Sequence, residues 1–137
     1  MVTIRDGRPT DHTKLRTIQE NALSASSPGL LESGTRGPLG LVVADDNGPV
    51  GYVLVLESKE TALLLELAVA SARQGDGIGS ALLEAALARV EAETVRLTAH
   101  AADSRVHRFY ERHGFERRDV LDGYFESGDG IVFTKQL

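Results

Sequence analysis

The densest chemical signal in the sequence is a short run, Gln74-Gly75-Asp76-Gly77-Ile78-Gly79-Ser80. It joins an apolar segment with strand character, Ala62 to Val69, to a helix predicted over Ile78 to Glu91. The first turn of a helix exposes amides without a partner inside the helix, and the aligned peptide dipoles put positive charge there. Glycines remove the side chains that would hold a bulky anion away from the backbone. The run therefore suits a phosphorylated ligand. A nucleoside-triphosphate loop needs a Lys and then Ser or Thr after its last glycine, whereas Gly79 is followed by Ser80-Ala81. A dinucleotide fold needs Gly-x-Gly-x-x-Gly early in a βαβ repeat, with an acid about 20 residues later. Here the spacing is Gly-x-Gly-x-Gly, and the preceding strands read as hairpin-linked. Two alternatives remain: coenzyme A, with its pyrophosphate, or a glycine-rich turn that holds nothing.

The elements that would position this run follow from periodicity. Ile4-Arg5 reads as the end of a first strand, and Pro9-Thr10-Asp11 as a helix start. Leu15, Ile18 and Ala22 then recur at helical spacing. Ser24 to Ser27 should break that helix, and Pro28 suits the first turn of a second, running to about Ser33. A loop is expected from Gly34 to Gly40. Leu41 to Ala44 and Val50 to Leu56 read as strands around an Asp46-Asn47-Gly48-Pro49 hairpin turn, since Asn-Gly tolerates positive φ. Ala62 to Val69 is so continuously apolar that burial on both faces is expected. The next helix carries one stripe of Leu82, Leu83, Ala86, Leu87 and Val90. Val95 to Ala99 is a strand. A helix capped by Asp103 or Ser104 should run to His113 and stop at Gly114. Phe115 to Leu121 and Ile131 to Lys135 close the chain as an antiparallel pair. The order is strand, two helices, three strands, helix, strand, helix, two strands.

Composition narrows the function classes. The chain has 137 residues, 42% of them hydrophobic, which is enough for one domain with a core. The net charge of -5 and the lack of a basic cluster argue against a nucleic-acid partner. No apolar run reaches membrane-span length, and the start has no leader pattern, so a cytoplasmic location is expected. Cysteine is absent, which excludes disulfides and thiol catalysis. His12, His100, His107 and His113 do not combine with carboxylates in a ligand pattern, so no metal site is expected.

With two motifs in view, the sequence resembles the GNAT superfamily of N-acetyltransferases. The signature Gln/Arg-x-x-Gly-x-Gly/Ala is matched by Gln74, Gly77 and Gly79, with Leu67-Ala68-Val69 at the expected distance upstream. A second signature, ending Leu-Tyr-Glu-x-x-Gly-Phe, is matched by Phe109-Tyr110-Glu111-Arg112-His113-Gly114-Phe115. The element order is also the family's, and the resemblance covers nearly the whole chain. It implies a single α/β domain over residues 1–137. Such a domain has a mixed, mostly antiparallel sheet of about seven strands and helices on both faces. A splayed cleft opens between the fourth and fifth strands. It implies acetyl-CoA as cosubstrate and an amine as acceptor, and it implies that the main chain of Leu67, Ala68 and Val69 holds the pantetheine. The amides of Gly75, Asp76, Gly77, Ile78, Gly79 and Ser80 would hold the pyrophosphate. Within the family the tail Gly123-Tyr124-Phe125 followed by Asp129-Gly130-Ile131-Val132-Phe133 looks most like the RimI-like amino-terminal acetyltransferases. Family members are often dimers, so a homodimer is an expectation of the same kind.

Acetyl transfer needs a neutral amine, a stabilised oxyanion and a protonated leaving thiolate. Tyr110, the family's usual general acid, has a hydroxyl that donates at neutral pH. The base is less determined. RimI-like enzymes carry a glutamate where Thr98 stands here, and threonine cannot do that work. Glu66 is the main substitute; in its apolar run a carboxylate is costly unless partnered. Burial in a cleft would raise its pKa, and pairing with an Arg or with solvent is the alternative. His100 is a second candidate, and a water relay a third. His107 and His113 are expected on the helix surface. Asp103 replaces the family's Asn, and an ionised Asp accepts but does not donate, which bears on its contact to CoA. Asp76 stands where Lys or Arg is frequent. A carboxylate beside a pyrophosphate is unfavourable, so Asp76 should face solvent, with Arg73 compensating. A non-catalytic acyl-CoA-binding module is the rival to an enzyme.

Overall fold

The computed structural model of the chain describes residues 1–23, 28–36 and 39–137. Among them, elements follow in the expected order: β1 (Thr3–Asp6), α1 (His12–Ala22), α2 (Pro28–Arg36), β2 (Gly40–Asp45), β3 (Pro49–Glu57), β4 (Thr61–Val69), α3 (Ile78–Arg89), β5 (Thr94–His100), α4 (Ser104–Arg112), β6 (Glu116–Phe125) and β7 (Gly128–Gln136). Single 3-10 turns occupy Pro9–Asp11 and Ser71–Arg73. The strands form one seven-stranded sheet in the order β1-β2-β3-β4-β5-β7-β6. The fold is α/β with a mostly antiparallel sheet, as expected. Parallel pairing joins β4 to β5 at Thr61↔Thr94, Ala62↔Val95 and Leu63↔Arg96. No helix among the described residues is long and apolar enough to cross a membrane.

Two compact units make up the chain, and the first comprises Met1–Glu57 with Leu64–Val90. Side chains alternate across β3. Tyr52 and Leu54 join a core cluster with Leu15 and Ile18 of α1, Leu31 of α2, and Leu41, Val43 and Ala68. Gly51, on the other face, abuts Ile78 and Leu82 of α3. Helix α2 runs past the loop start expected at Gly34. A Cβ there would lie 2.4 Å from the Leu54 side chain, so glycine lets the helix approach β3. The break expected at residues 24–27 lies outside the described residues, as do positions 37–38. Strand β4 is not buried on both faces. Ala62, Leu64, Glu66 and Ala68 are buried while the alternate residues are half-buried, because leucine serves on either kind of face and the run hides the alternation. Helix α3 ends at Arg89, with Val90 already extended.

A charge network fixes the first strand. Asp11 is buried and takes two bonds of 2.8 Å from Arg5, plus the Arg8 amide at 2.8 Å. Arg5 also reaches Asp45 at 2.9 Å. The Arg5 guanidinium holds the Asp11 carboxyl below its ordinary range. A carboxyl whose folded pKa is depressed contributes stability above its unfolded pKa and loses it as pH falls through the folded one. The Asp11→Asn variant should therefore be less stable by about 2 kcal/mol near neutral pH. The gap should close below about pH 4. Urea midpoints across pH check this; a gap that does not change with pH would contradict it.

The second unit comprises Ser58–Leu63 and Glu91–Leu137. Its strands β5, β7 and β6 are antiparallel neighbours. Phe133 on β7 is fully buried, with Val95, Leu97 and Ala99 from β5. Strand β6 lies at the sheet edge, interrupted by two register shifts, and is exposed except at half-buried Leu121 and Phe125. It runs past the Leu121 boundary expected from sequence, to Phe125.

Candidate functional site

In the first unit, β4 leads through the Ser71–Arg73 turn into the glycine run. Ala70 donates its amide to Val50, and the Ala68 carbonyl lies against Gly51 of β3. Backbone groups alternate along a strand, so those of Leu67 and Val69 face the edge of β4 away from β3. That separates them from Ala68 among the three residues expected to hold a pantetheine. Gln74 turns its side chain back to donate to the Val69 carbonyl at 3.2 Å, which fixes the start of the loop against the end of the strand.

Gly75 and Gly77 have φ of +91° and +80°, and a Cβ added at either would meet nothing within 4 Å. Side-chain-bearing residues rarely take such angles. Here glycine is required by conformation and leaves an open approach. Gly77 is the N-cap of α3 and makes no side-chain cap. The first intrahelical bond is from Ala81 to Gly77. The amides of Ile78, Gly79 and Ser80 thus lack acceptors within the helix, and the dipole adds positive charge to them. The cradle fits a pyrophosphate. Asp76 is 54% exposed, as expected of it, and Arg73 is its partner at 3.1 Å. Arg73 also pairs with Asp46 in the β2–β3 turn at 2.9 Å.

Glu66 faces α1. Its Oε1 accepts from Gln19 at 2.8 Å and from the Tyr52 hydroxyl at 2.9 Å, both within the buried interior. No Arg among the described residues pairs with it directly. Arg16 stands one step away, donating to Gln19 Oε1 at 2.7 Å. Burial, with the Glu66 charge beside it, pushes the Tyr52 phenol up, so Tyr52 keeps its proton and donates. Sequence reasoning missed Gln19 and Tyr52. A signal existed for Gln19: it continues the Leu15, Ile18, Ala22 stripe, a polar residue on an apolar face.

In the second unit, α4 carries the other predicted residues. Asp103 caps it by accepting the Val106 amide at 3.2 Å. Tyr110 is buried among rings, with Phe109 at 5.1 Å, Phe115 at 5.5 Å and Phe133 at 6.5 Å. Burial alone pushes its phenol up. Its hydroxyl has no hydrogen-bond partner among the described residues, so it retains a proton that none of them engages. His107 is not a surface residue. It is 6% exposed, donates to the His100 carbonyl at 2.8 Å and accepts from Arg117 at 3.3 Å. His113 is half-buried and donates to the Phe109 carbonyl at 2.8 Å. His100 accepts the Ala102 amide on Nδ1 at 3.1 Å. Its Nε2 therefore donates to Ser127 at 2.9 Å, while the ring stacks on Phe125 at 5.2 Å. Both nitrogens of this candidate base are engaged. Thr98 is half-buried, and its methyl lies against Gly130.

The predicted residues thus fall on two stretches. Glu66, Leu67 to Val69 and Gln74 to Ser80 belong to the first unit, Asp103 and Tyr110 to the second. Comparison with known proteins bears on the whole. The family model for an acetyltransferase (GNAT) domain matches residues 38–117, more than half of the chain. A search among curated proteins found no match. Among solved structures, the chain is similar to the ribosomal-protein-S18-alanine N-acetyltransferase of Escherichia coli. The TM-score is 0.89 at 22% identity, covering 99% of this chain and 94% of that one. Ard1 of Thermoplasma volcanium gives 0.87 at 24% identity, with 99% and 97% covered. A GNAT family acetyltransferase of Elizabethkingia anophelis with acetyl-CoA bound gives 0.82 at 19%, with 99% and 98% covered. At these identities the likeness is one of fold.

Proposed function

The chain belongs to the GNAT acetyltransferase family, and from that premise we propose that it is a single-domain enzyme moving an acetyl group from acetyl-CoA to a primary amine by direct attack. The observation that carries the proposal is the glycine cradle. Two open glycines at positive φ precede a helix N-terminus with no side-chain cap, directly after β4. That arrangement takes a pyrophosphate on main-chain amides. The main chain of Leu67 and Val69 would hold the pantetheine arm.

The chemistry then needs few groups. The amine nitrogen attacks the thioester carbonyl, and a main-chain amide of β4 stabilises the oxyanion. As the carbon–sulfur bond breaks, Tyr110 gives its proton to the departing thiolate and regains one from solvent. The ammonium has lost one proton before attack, and the new amide nitrogen loses a second. Glu66 is the carboxylate we assign to the first of these, its Oε1 fixed by Gln19 and Tyr52. An amino-terminal peptide heads the acceptor panel, for two reasons. The E. coli protein of similar fold is named for an alanine of ribosomal protein S18, and the Gly123-Tyr124-Phe125 tail resembles that branch. Small amines follow it.

The test is thiol release from acetyl-CoA against a panel of amino-terminal peptides and small amines, with CoA binding measured by calorimetry. Turnover with one acceptor supports the enzyme. Binding without turnover on the whole panel supports an acyl-CoA-binding module instead, a reading open because Asp103 stands in place of the family's Asn and Thr98 in place of the glutamate of RimI-like enzymes. No binding of CoA would sink both.

A further inference from the structure

Arg73 is placed to do more than offset a neighbouring charge. Its guanidinium has five N–H donors in a fixed fork. One is spent on Asp46 at 2.9 Å and one on Asp76 at 3.1 Å. The two carboxylates differ in how firmly they are held. Asp46 sits in the β2–β3 turn, where its amide is bonded to the Gly48 carbonyl at 2.9 Å, and its side chain is 24% exposed. Asp76 is 54% exposed and lies between Gly75 and Gly77, both in the left-handed region with open space around them. One end of the Arg73 bridge is anchored, and the other is attached to a segment with a glycine pivot on each side.

The position of the detachable end matters. Asp76 is in the middle of the cradle whose amides take a phosphate under the function proposed above, and this inference rests on that reading. The Arg73 side chain therefore already reaches the side chain of a residue in that loop. A carboxylate there carries the ligand's own sign of charge. A phosphate offers the same fork more oxygen acceptors and a larger charge. We propose that Asp76 is an internal competitor of the cosubstrate: it holds Arg73 until the pyrophosphate arrives, and Arg73, still tethered to Asp46, then exchanges the carboxylate for a phosphate oxygen. Affinity for CoA is set by this exchange and not by the amides alone. The same carboxylate recaptures Arg73 when CoA departs, which favours release of the product.

A double-mutant cycle separates exchange from plain repulsion. Calorimetry would compare CoA binding to the wild-type chain, Asp76→Asn, Arg73→Gln and the double variant, with pantetheine as a probe that lacks phosphate. Asp76→Asn should bind CoA about threefold more tightly, the scale of one exposed ion pair. Arg73→Gln should bind about tenfold more weakly. In the Arg73→Gln background the gain from Asp76→Asn should vanish, because nothing is left to compete for. Pantetheine binding should not respond to any of the three changes. A gain that persists without Arg73 would show repulsion only and overturn the exchange. So would an Asp76→Asn variant whose CoA affinity is unchanged or weaker. A wild-type chain that fails to bind CoA at all would remove the site itself, a failure of the proposed function that is visible before any variant is made.

Discussion

Replacing Tyr110 with Phe is expected to lower turnover about 100-fold to 1000-fold, with CoA affinity and melting temperature unchanged. The hydroxyl is the only difference between the two side chains, and it has no bond to lose among the described residues. The ring contacts with Phe109, Phe115 and Phe133 are the same for either. Burial keeps the phenol protonated, so the group is a donor over the whole working range of pH and its loss falls on the leaving thiolate. Thiol release measured beside calorimetry decides the matter. Turnover within threefold of wild type would remove Tyr110 from the chemistry.

The second large effect belongs to Glu66. Glu66→Ala takes away the acceptor of two buried donors, Gln19 and Tyr52. A buried donor that loses an acceptor costs about 1–3 kcal/mol. With about 4 °C per kcal/mol, a fall in melting temperature of about 10 °C is expected. Glu66→Gln keeps a carbonyl oxygen for both donors and should melt within a few degrees of wild type. The pair of variants therefore divides anchoring from catalysis. Turnover of Glu66→Gln should drop about 100-fold if the carboxylate takes the ammonium proton. Full turnover would leave Glu66 as an anchor and assign deprotonation to water. An Ala variant that melts with the wild type would contradict the network itself.

The parts of this protein that sequence reveals are those whose cause is local. Gly75 and Gly77 announced the cradle because positive φ is taken readily by glycine and, among residues with a Cβ, chiefly by Asn and Asp. Asn47 and Gly48, at φ of +57° and +124°, announced the β2–β3 turn for the same reason. Gly34 misled for an opposite cause. It is expected to open a loop, yet it sits inside α2, where Leu54, distant in sequence, leaves no room for a side chain. Glu66 could be seen to need a partner. That the partners are Gln19, 47 residues away, and Tyr52, 14 away, is a matter of packing that no local pattern encodes. His107 looked like surface on an amphipathic helix, but the His100 carbonyl and Arg117 make its burial tolerable. The competition at Arg73 was half visible: Asp76 was conspicuous by its charge, whereas Asp46 is brought in by a hairpin turn.

Strand β6 has a different kind of consequence. Its main chain is fixed by its ladder to β7, while all of its side chains except Leu121 and Phe125 stand in solvent. Substitutions at exposed positions of this sort usually shift stability by less than about 0.5 kcal/mol. Apart from Arg117, which is bonded to the buried His107, the backbone thus presents side chains at set places without depending on which ones they are. Over generations such a strand is free to change its outward chemistry while the fold beneath it stays put, so new surface properties should arise there sooner than on β3, where four consecutive residues are buried, or on β4, where every second one is.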